Sequence, residues 1–307
     1  MKNKTILITG ICGSFGTAMT KYLLANGVKK IIGFSRDEKK HYDFKKQFPD
    51  KRIELIIGDV RDFQAINNAI KRKSVDYVIH AAAMKQVPAC EKFPIEAIKT
   101  NVDGSRNVMF ACLKNKVKKA VFLSTDKAAN AETTYGSTKY LEEKMALALG
   151  NDETEFVVTR YGNVLGSNGS VVPFFKQLAK ENKPLTVVNP DMTRFFMTLD
   201  EAVKLVLLAL EKGKNGELFI LKNKSATIQM LADCISDNQV IIGNRCDEKN
   251  GEALLTIDEL NHSILYDNYY CVVSRETTNP IKHEQPYTSD NADRFTLEEL
   301  KVLIDEC

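Results

Sequence analysis

The chain has 307 residues, 44% hydrophobic and 27% charged, with a net charge of +3. That composition supports a sizeable core and excludes a disordered chain. The near-balanced charge excludes the basic surface a nucleic-acid partner requires. The longest strongly apolar stretch, Val203 to Leu210, is far too short to span a bilayer, so no membrane association is expected.

Short apolar runs alternate with amphipathic stretches from the N-terminus onward. Strands are predicted at Thr5 to Thr9, Lys30 to Ser35, Ile53 to Ile57, Tyr77 to His80, Ala120 to Ser124 and Glu155 to Thr159. Helices are predicted at Ala18 to Asn26, Phe63 to Lys71, Ala97 to Asn115 and Tyr135 to Leu149. The order implies an α/β protein, a doubly wound parallel sheet of the Rossmann type. From Gly162 the regularity weakens. A helix at Leu199 to Glu211 and a strand at Glu217 to Leu221 are expected to return to the sheet. The domain reading is therefore a nucleotide-binding domain over 1–165, joined by 198–222, and a smaller C-terminal substrate-binding lobe from 166–197 and 223–307. Seven scattered cysteines with no CxxC pair argue against a disulfide framework and a zinc site, and the histidines lack metal-ligand spacing. A reducing, cytoplasmic setting follows as the expectation, with Met1 to Gly10 read as a first strand and not a leader.

The first strand runs into Gly10-Ile-Cys-Gly13-Ser14-Phe15-Gly16 and a helix follows. Glycines there let the backbone approach a pyrophosphate, which the helix N-terminus attracts. The second strand ends in Ser35-Arg36-Asp37. Arg36 is suited to a 2′-phosphate, so NADP is expected over NAD, and Asp37 keeps NAD open. Asp59 and Val60 stand where an adenine contact falls. Ala81, Ala82 and Ala83 follow the fourth strand, where small residues permit close passage of a cofactor.

Strand five ends at Ser124-Thr125-Asp126-Lys127, at the carboxyl edge where open α/β sheets bind ligands. Tyr135 and Lys139 lie one turn apart on the next helix. A lysine ammonium beside a phenol lowers its pKa and makes it a base for a sugar hydroxyl.

These pieces resemble an extended short-chain dehydrogenase/reductase, and within it the inverting UDP-N-acetylglucosamine 4,6-dehydratases of bacterial surface-sugar pathways. The resemblance runs through Thr9 to Gly16, Ala81 to Val87, Thr100-Asn101-Val102, Ser124 to Lys127, Tyr135 to Lys139, Arg160 to Val164, Gly169 to Phe175 and Met192 to Asp200. It implies a UDP-N-acetylhexosamine substrate and a homo-oligomer, dimer or hexamer. It implies that Tyr135, with Lys139 and Thr125, oxidises carbon 4, that Lys127 removes the carbon-5 proton, and that Asp126 protonates the departing 6-hydroxyl. Asn101 is implied on the cofactor side. Lys85, Asn163, Val171, Arg194, Arg245 and Glu248 are implied on the substrate side. The segment Arg245 to Glu252 lacks the Pro-Gly turn of an RPGEKxxE-like loop. A 4-epimerase or retaining dehydratase on the same scaffold, or a non-catalytic NADP-binding protein, are the competing readings.

Overall fold

The structure, a computed structural model, describes residues 1–243, 249–273 and 283–307. The first half alternates as the apolar runs require: β1 (Thr5–Thr9), α1 (Ser14–Ala25), β2 (Lys30–Ser35), α2 (Glu38–Gln47), β3 (Ile53–Ile57), α3 (Phe63–Lys73) and β4 (Tyr77–His80). Two short helices follow, α4 (Val87–Lys92) and α5 (Pro94–Ala97). A π-type turn, Ile98–Asp103, leads into α6 (Gly104–Lys114). Then come β5 (Lys119–Thr125), a single 3₁₀ turn at Asp126–Ala128, α7 (Thr134–Leu149) and β6 (Glu155–Tyr161). One continuous helix was expected from Ala97 to Asn115; the π-type turn interrupts it where Thr100 and Asn101 face inward.

The second half is built of smaller pieces: β7 (Asn163–Val164), α8 (Val171–Lys180), β8 (Leu185–Val187), β9 (Thr193–Met197), α9 (Leu199–Lys212), β10 (Glu217–Leu221), β11 (Ser225–Thr227), α10 (Ile228–Asp233), β12 (Gln239–Ile241), β13 (Ala253–Leu255), α11 (Ile257–Asn261), β14 (Ser263–Leu265), β15 (Tyr269–Val272), β16 (Tyr287–Thr288) and α12 (Leu297–Asp305). Helices α10, α11 and α12 each begin with a threonine whose hydroxyl accepts a backbone N–H of the first turn, and α11 and α12 close a full capping box. Such caps let short helices form where propensity alone does not.

The main sheet has nine strands in the order β14-β15-β10-β6-β5-β4-β1-β2-β3. From β10 to β3 the pairings are parallel; β15 and β14 add on antiparallel. This is the Rossmann architecture, its crossover switch lying between β1 and β4. Residues 263–272, assigned to the smaller lobe on sequence grounds, instead extend the large sheet, because apolar Tyr269 to Val272 match the open edge of β10. Apolar layers cover both faces of the sheet, and a third cluster around Leu165, Phe175, Phe196, Leu231 and Leu300 forms the core of the smaller lobe. Among the described residues, no helix is long and apolar enough to cross a membrane.

A buried arginine ties the parts together. Arg160 on β6 is fully buried. Its guanidinium donates to Glu143 of α7 at 2.9 and 2.5 Å, to Glu259 of α11 at 2.8 Å, and to the carbonyl of Leu254 in β13 at 2.9 Å. Replacing it strands two carboxylates in the interior. Arg160→Leu is expected to lower unfolding stability by about 3–5 kcal/mol, read from urea denaturation midpoints.

Candidate active site

The carboxyl ends of the parallel strands open into one cleft of about 1070 Å³ that reaches into the smaller lobe. Its floor is the turn from β1 to α1. Gly10 has φ +68°, and a Cβ there would stand 2.9 Å from the Ala81 carbonyl oxygen. A Cβ on Gly16 would collide with the Ile11 carbonyl. Both positions therefore exclude a side chain. Gly13 caps α1 without any side-chain bond, so the first-turn N–H groups face the cleft. Gly10, Gly13, Ser14, Phe15, Gly16, Ala81, Ala82 and Ala83 all line it. A cradle closed to any Cβ beside a free helix N-terminus fits the pyrophosphate of a dinucleotide.

At the far end of the cradle lie Ser35, Arg36, Asp37 and Lys40; Lys40 was not foreseen. Arg36 is more than half exposed and 3.6 Å from Asp59. The Asp37 carboxylate caps α2 by accepting the Lys40 N–H at 2.9 Å, so part of its capacity is already used. Val60 lines the cleft. Asp59 turns instead to Arg61, with contacts of 2.7 to 3.0 Å, and is held below the usual carboxylate range by those bonds despite partial burial.

Behind the cleft runs a buried polar chain. Thr9 Oγ1 accepts the N–H groups of Ala81 and Ala82 at 3.2 Å and meets His80 Nδ1 at 2.8 Å. His80 Nε2 meets Ser105 Oγ at 2.9 Å, and Ser105 donates to the Asn101 carbonyl at 2.6 Å. Since Ser105 spends its proton there, His80 carries its proton on Nε2 and is neutral. Burial, and then the charge of Lys139, hold its pKa down to about 3. Asn101 does not reach the cleft, contrary to expectation. It is fully buried, accepting from the Met84 N–H at 2.8 Å and donating to the Met84 carbonyl at 2.9 Å and to Thr138 at 3.0 Å. Two backbone partners and one hydroxyl consume its amide, so it positions the loop after β4 against α7.

Ser124, Thr125, Lys127, Tyr135 and Lys139 line the central cleft. The expected pairing of Tyr135 with Lys139 is not the one observed. Lys139 is buried and bonds to Glu142, three residues on. Burial pushes the Tyr135 phenol well above its usual range; Tyr161, Glu142 and Asp126 add to the rise, and Thr125 offsets part of it. Glu142 contributes in two ways, by its own charge and by pairing with the lysine expected to favour the phenolate.

Lys127 also departs from expectation. Its Nζ lies 3.0 Å from Asp126 Oδ1 and 3.2 Å from Glu252 Oε1. Burial works against the ammonium, but the two carboxylates outweigh it and raise the pKa above the ordinary lysine value. The depressed amine that a resting neutral base requires is therefore absent. Asp126 is buried, with Oδ1 also accepting from Thr125 at 2.9 Å. Glu252, adjoining β13, was not singled out as a site residue; no spacing rule connects it to Lys127 across the intervening chain.

Lys85, Asn163, Val171 and Arg194, the residues expected on the substrate side, line the same cleft. Arg194 is less free than a diphosphate clamp requires. Its terminal nitrogens donate to the carbonyls of Thr193, Lys249 and Asn250 at 2.7 to 3.2 Å. Arg245 and Glu248 lie outside the described residues. Ser14 Oγ accepts the Asn168 N–H at 3.0 Å, so the loop on the substrate side rests on the glycine turn. Among the described residues there is no cluster arranged to hold a metal ion.

A dinucleotide cradle joined to a Ser-Thr, Tyr and Lys constellation on a nine-stranded Rossmann sheet defines an extended short-chain dehydrogenase/reductase, an enzyme of the nucleotide-sugar dehydratase and epimerase type. The chain belongs to the polysaccharide biosynthesis protein family, whose model matches residues 6–274. It is 43% identical to a protein of Rickettsia bellii (strain OSU 85-389) named UDP-glucose 4-epimerase, over 98% of this chain and 95% of that one. A counterpart of Rickettsia conorii (strain ATCC VR-613 / Malish 7) with the same name is 41% identical over the same shares. The X-ray structure of Pen from Bacillus thuringiensis superposes with a TM-score of 0.93 at 34% identity, covering 100% of this chain and 98% of that one. DesIV, a dTDP-glucose 4,6-dehydratase from Streptomyces venezuelae with NAD bound, shares the fold at a TM-score of 0.74 and 19% identity, over 80% of this chain and 86% of that one.

His80 gives the site a pH signature. Its folded pKa of about 3 lies below the ordinary 6.5. Between those values the unfolded chain takes up a proton the folded one refuses, so stability falls as pH drops, by up to about 1.4 kcal/mol per pH unit. His80→Asn is expected to flatten this slope, measured as the shift in urea midpoint between pH 7 and pH 5.

Proposed function

We propose that the protein is a UDP-N-acetylglucosamine 4,6-dehydratase working with tightly bound NADP. The observation carrying this reading is the buried Asp126–Lys127–Glu252 cluster beside Tyr135. A 4-epimerase needs only a group that moves the 4-hydroxyl proton. Loss of water also needs an acid for the 6-hydroxyl and a base for carbon 5, and charged groups of both kinds stand together here. The Rickettsia relatives' name favours 4-epimerisation as the second reading.

In this reading Gly10, Gly13, Gly16 and the first turn of α1 hold the pyrophosphate, and Ser35, Arg36 and Lys40 hold a 2′-phosphate. A dinucleotide held there would supply the hydride-transfer chemistry needed at carbon 4 and carbon 6. Tyr135 takes the 4-hydroxyl proton, its phenolate favoured when Lys139 turns some of its charge from Glu142 toward it. The ketone then acidifies the proton on carbon 5. Reprotonation there from the opposite face inverts that centre.

Incubation with UDP-N-acetylglucosamine is expected to yield a product lighter by one water in mass spectrometry; an isobaric isomer would indicate epimerisation, and unchanged substrate a non-catalytic protein. Arg36→Ala is expected to weaken NADP binding by about 10-fold or more while leaving NAD binding nearly unchanged, since a charge-assisted contact to the 2′-phosphate contributes about 1.5–3 kcal/mol. Titration calorimetry with both dinucleotides reads this directly.

A further inference from the structure

We infer that Glu252 is the base that takes the carbon-5 proton, that Lys127 is the acid that protonates the departing 6-hydroxyl, and that Asp126 holds Lys127 in place. The inference rests on the dehydration reading above and redistributes its acid and base roles.

Orientation argues for it first. Lys127 and Glu252 both line the cleft, whereas Asp126 does not. Asp126 is 1% exposed and lies outside the cleft lining; its Oδ1 accepts from Thr125 and the lysine, and its Oδ2, like Glu252 Oε2, has no hydrogen-bond partner among the described residues. A group so placed can orient the ammonium but is badly placed to reach a sugar. Glu252 is 5% exposed, with Oε1 turned to Lys127, and Oε2 has no hydrogen-bond partner among the described residues. A carboxylate oxygen without a donor keeps an open acceptor site.

Charge argues for it second. A lysine 3.0 and 3.2 Å from two carboxylates is an ammonium, a donor and not an acceptor. The nearest further cation, Arg194, stands 4.0 Å from Glu252. The cluster thus offers a neighbouring donor and acceptor, the arrangement needed by a hydroxyl on carbon 6 and a proton on carbon 5.

The step balances as follows. The carbon-5 to hydrogen bond breaks, its proton passes to Glu252 Oε2, and its electron pair forms the double bond to carbon 6. The carbon-6 to oxygen bond breaks, and a proton from Lys127 leaves with the oxygen as water. Lys127 is left neutral and regains a proton from the one Tyr135 took from the 4-hydroxyl. Glu252 gives its proton to solvent, and carbon 5 takes a solvent proton on its opposite face as the hydride is delivered to carbon 6.

The test uses the full-length protein with NADP and UDP-N-acetylglucosamine in heavy water, following nicotinamide reduction by absorbance, deuterium at carbon 5 by proton NMR, and product mass. If the wild type loses no water, the dehydration reading itself fails, and the inference with it. If the wild type dehydrates, Glu252→Gln is expected to keep nicotinamide reduction and NADP binding while carbon-5 exchange and water loss fall by about 10²–10⁴-fold. Exchange within about tenfold of wild type in that variant would overturn the assignment. So would loss of nicotinamide reduction in a folded, NADP-binding variant, because the fault would then precede elimination. If Glu252→Gln fails to fold, Glu252→Asp keeps the charge but withdraws it by one methylene. It is expected to slow carbon-5 exchange with KM little changed, and wild-type exchange there would equally dismiss Glu252 as the base.

Discussion

The architecture depends on a single buried cation. Arg160 sits on β6 and holds α7 through Glu143, α11 through Glu259, and β13 through the Leu254 carbonyl. These elements are distant in sequence, and each carries or flanks a different piece of the site: Tyr135 and Lys139 on α7, Glu252 beside β13. A planar guanidinium with five donors can satisfy several acceptors at fixed angles, which a lysine cannot. The pKa of Arg160 stays above the usual arginine range although burial opposes it, because both carboxylates hold the charge. The cost of burying three ions is met by geometry, and the geometry fixes where the two halves of the cleft stand.

Around that anchor the site is organised by pairing charges in a dry environment. Lys139 with Glu142 is a fully buried ion pair, and Lys127, its side chain 21% exposed, pairs with the buried Asp126 and Glu252. Coulomb attraction is strong there, and a proton shift between partners requires no solvent rearrangement. The resting state therefore stores its cations on lysines facing the cleft, with carboxylates beside them to take up protons as chemistry proceeds.

Much of the first half was legible in the sequence because parallel strands buried on both faces read as uninterrupted apolar runs. The predicted bounds of β1, β2, β3 and β4 coincide with those observed. The segment of α2, Glu38–Gln47, is so polar that no apolar face announces it; His41 and Phe44 alone are buried. The π-type turn at Ile98–Asp103 escapes any reading by 3.6-residue period. Within the site, neighbours in sequence were found: Asp126 with Lys127, Tyr135 with Lys139. Local spacing placed Lys139 one turn from Tyr135, and it equally placed Glu142 within reach of Lys139 on the same helix, a competitor left out of the sequence reading. Glu252 reaches Lys127 through long-range packing, its segment being held by Ser289 as well as by Arg160, and no local pattern encodes that. Asn101 was recognised by its motif and misread in role, since a buried amide can serve the backbone as well as a ligand.

The contact of Ser14 Oγ with the Asn168 amide couples the two compartments of the cleft. Ser14 begins the helix after the glycine turn, and Asn168 belongs to the loop between β7 and α8; both line the cleft. An occupant that displaces either partner loosens or tightens the other's seat. Linkage then requires reciprocity: whatever the cofactor does to substrate affinity, the substrate does to cofactor affinity by the same factor. A single hydroxyl thus makes a change at one end of the cleft felt at the other.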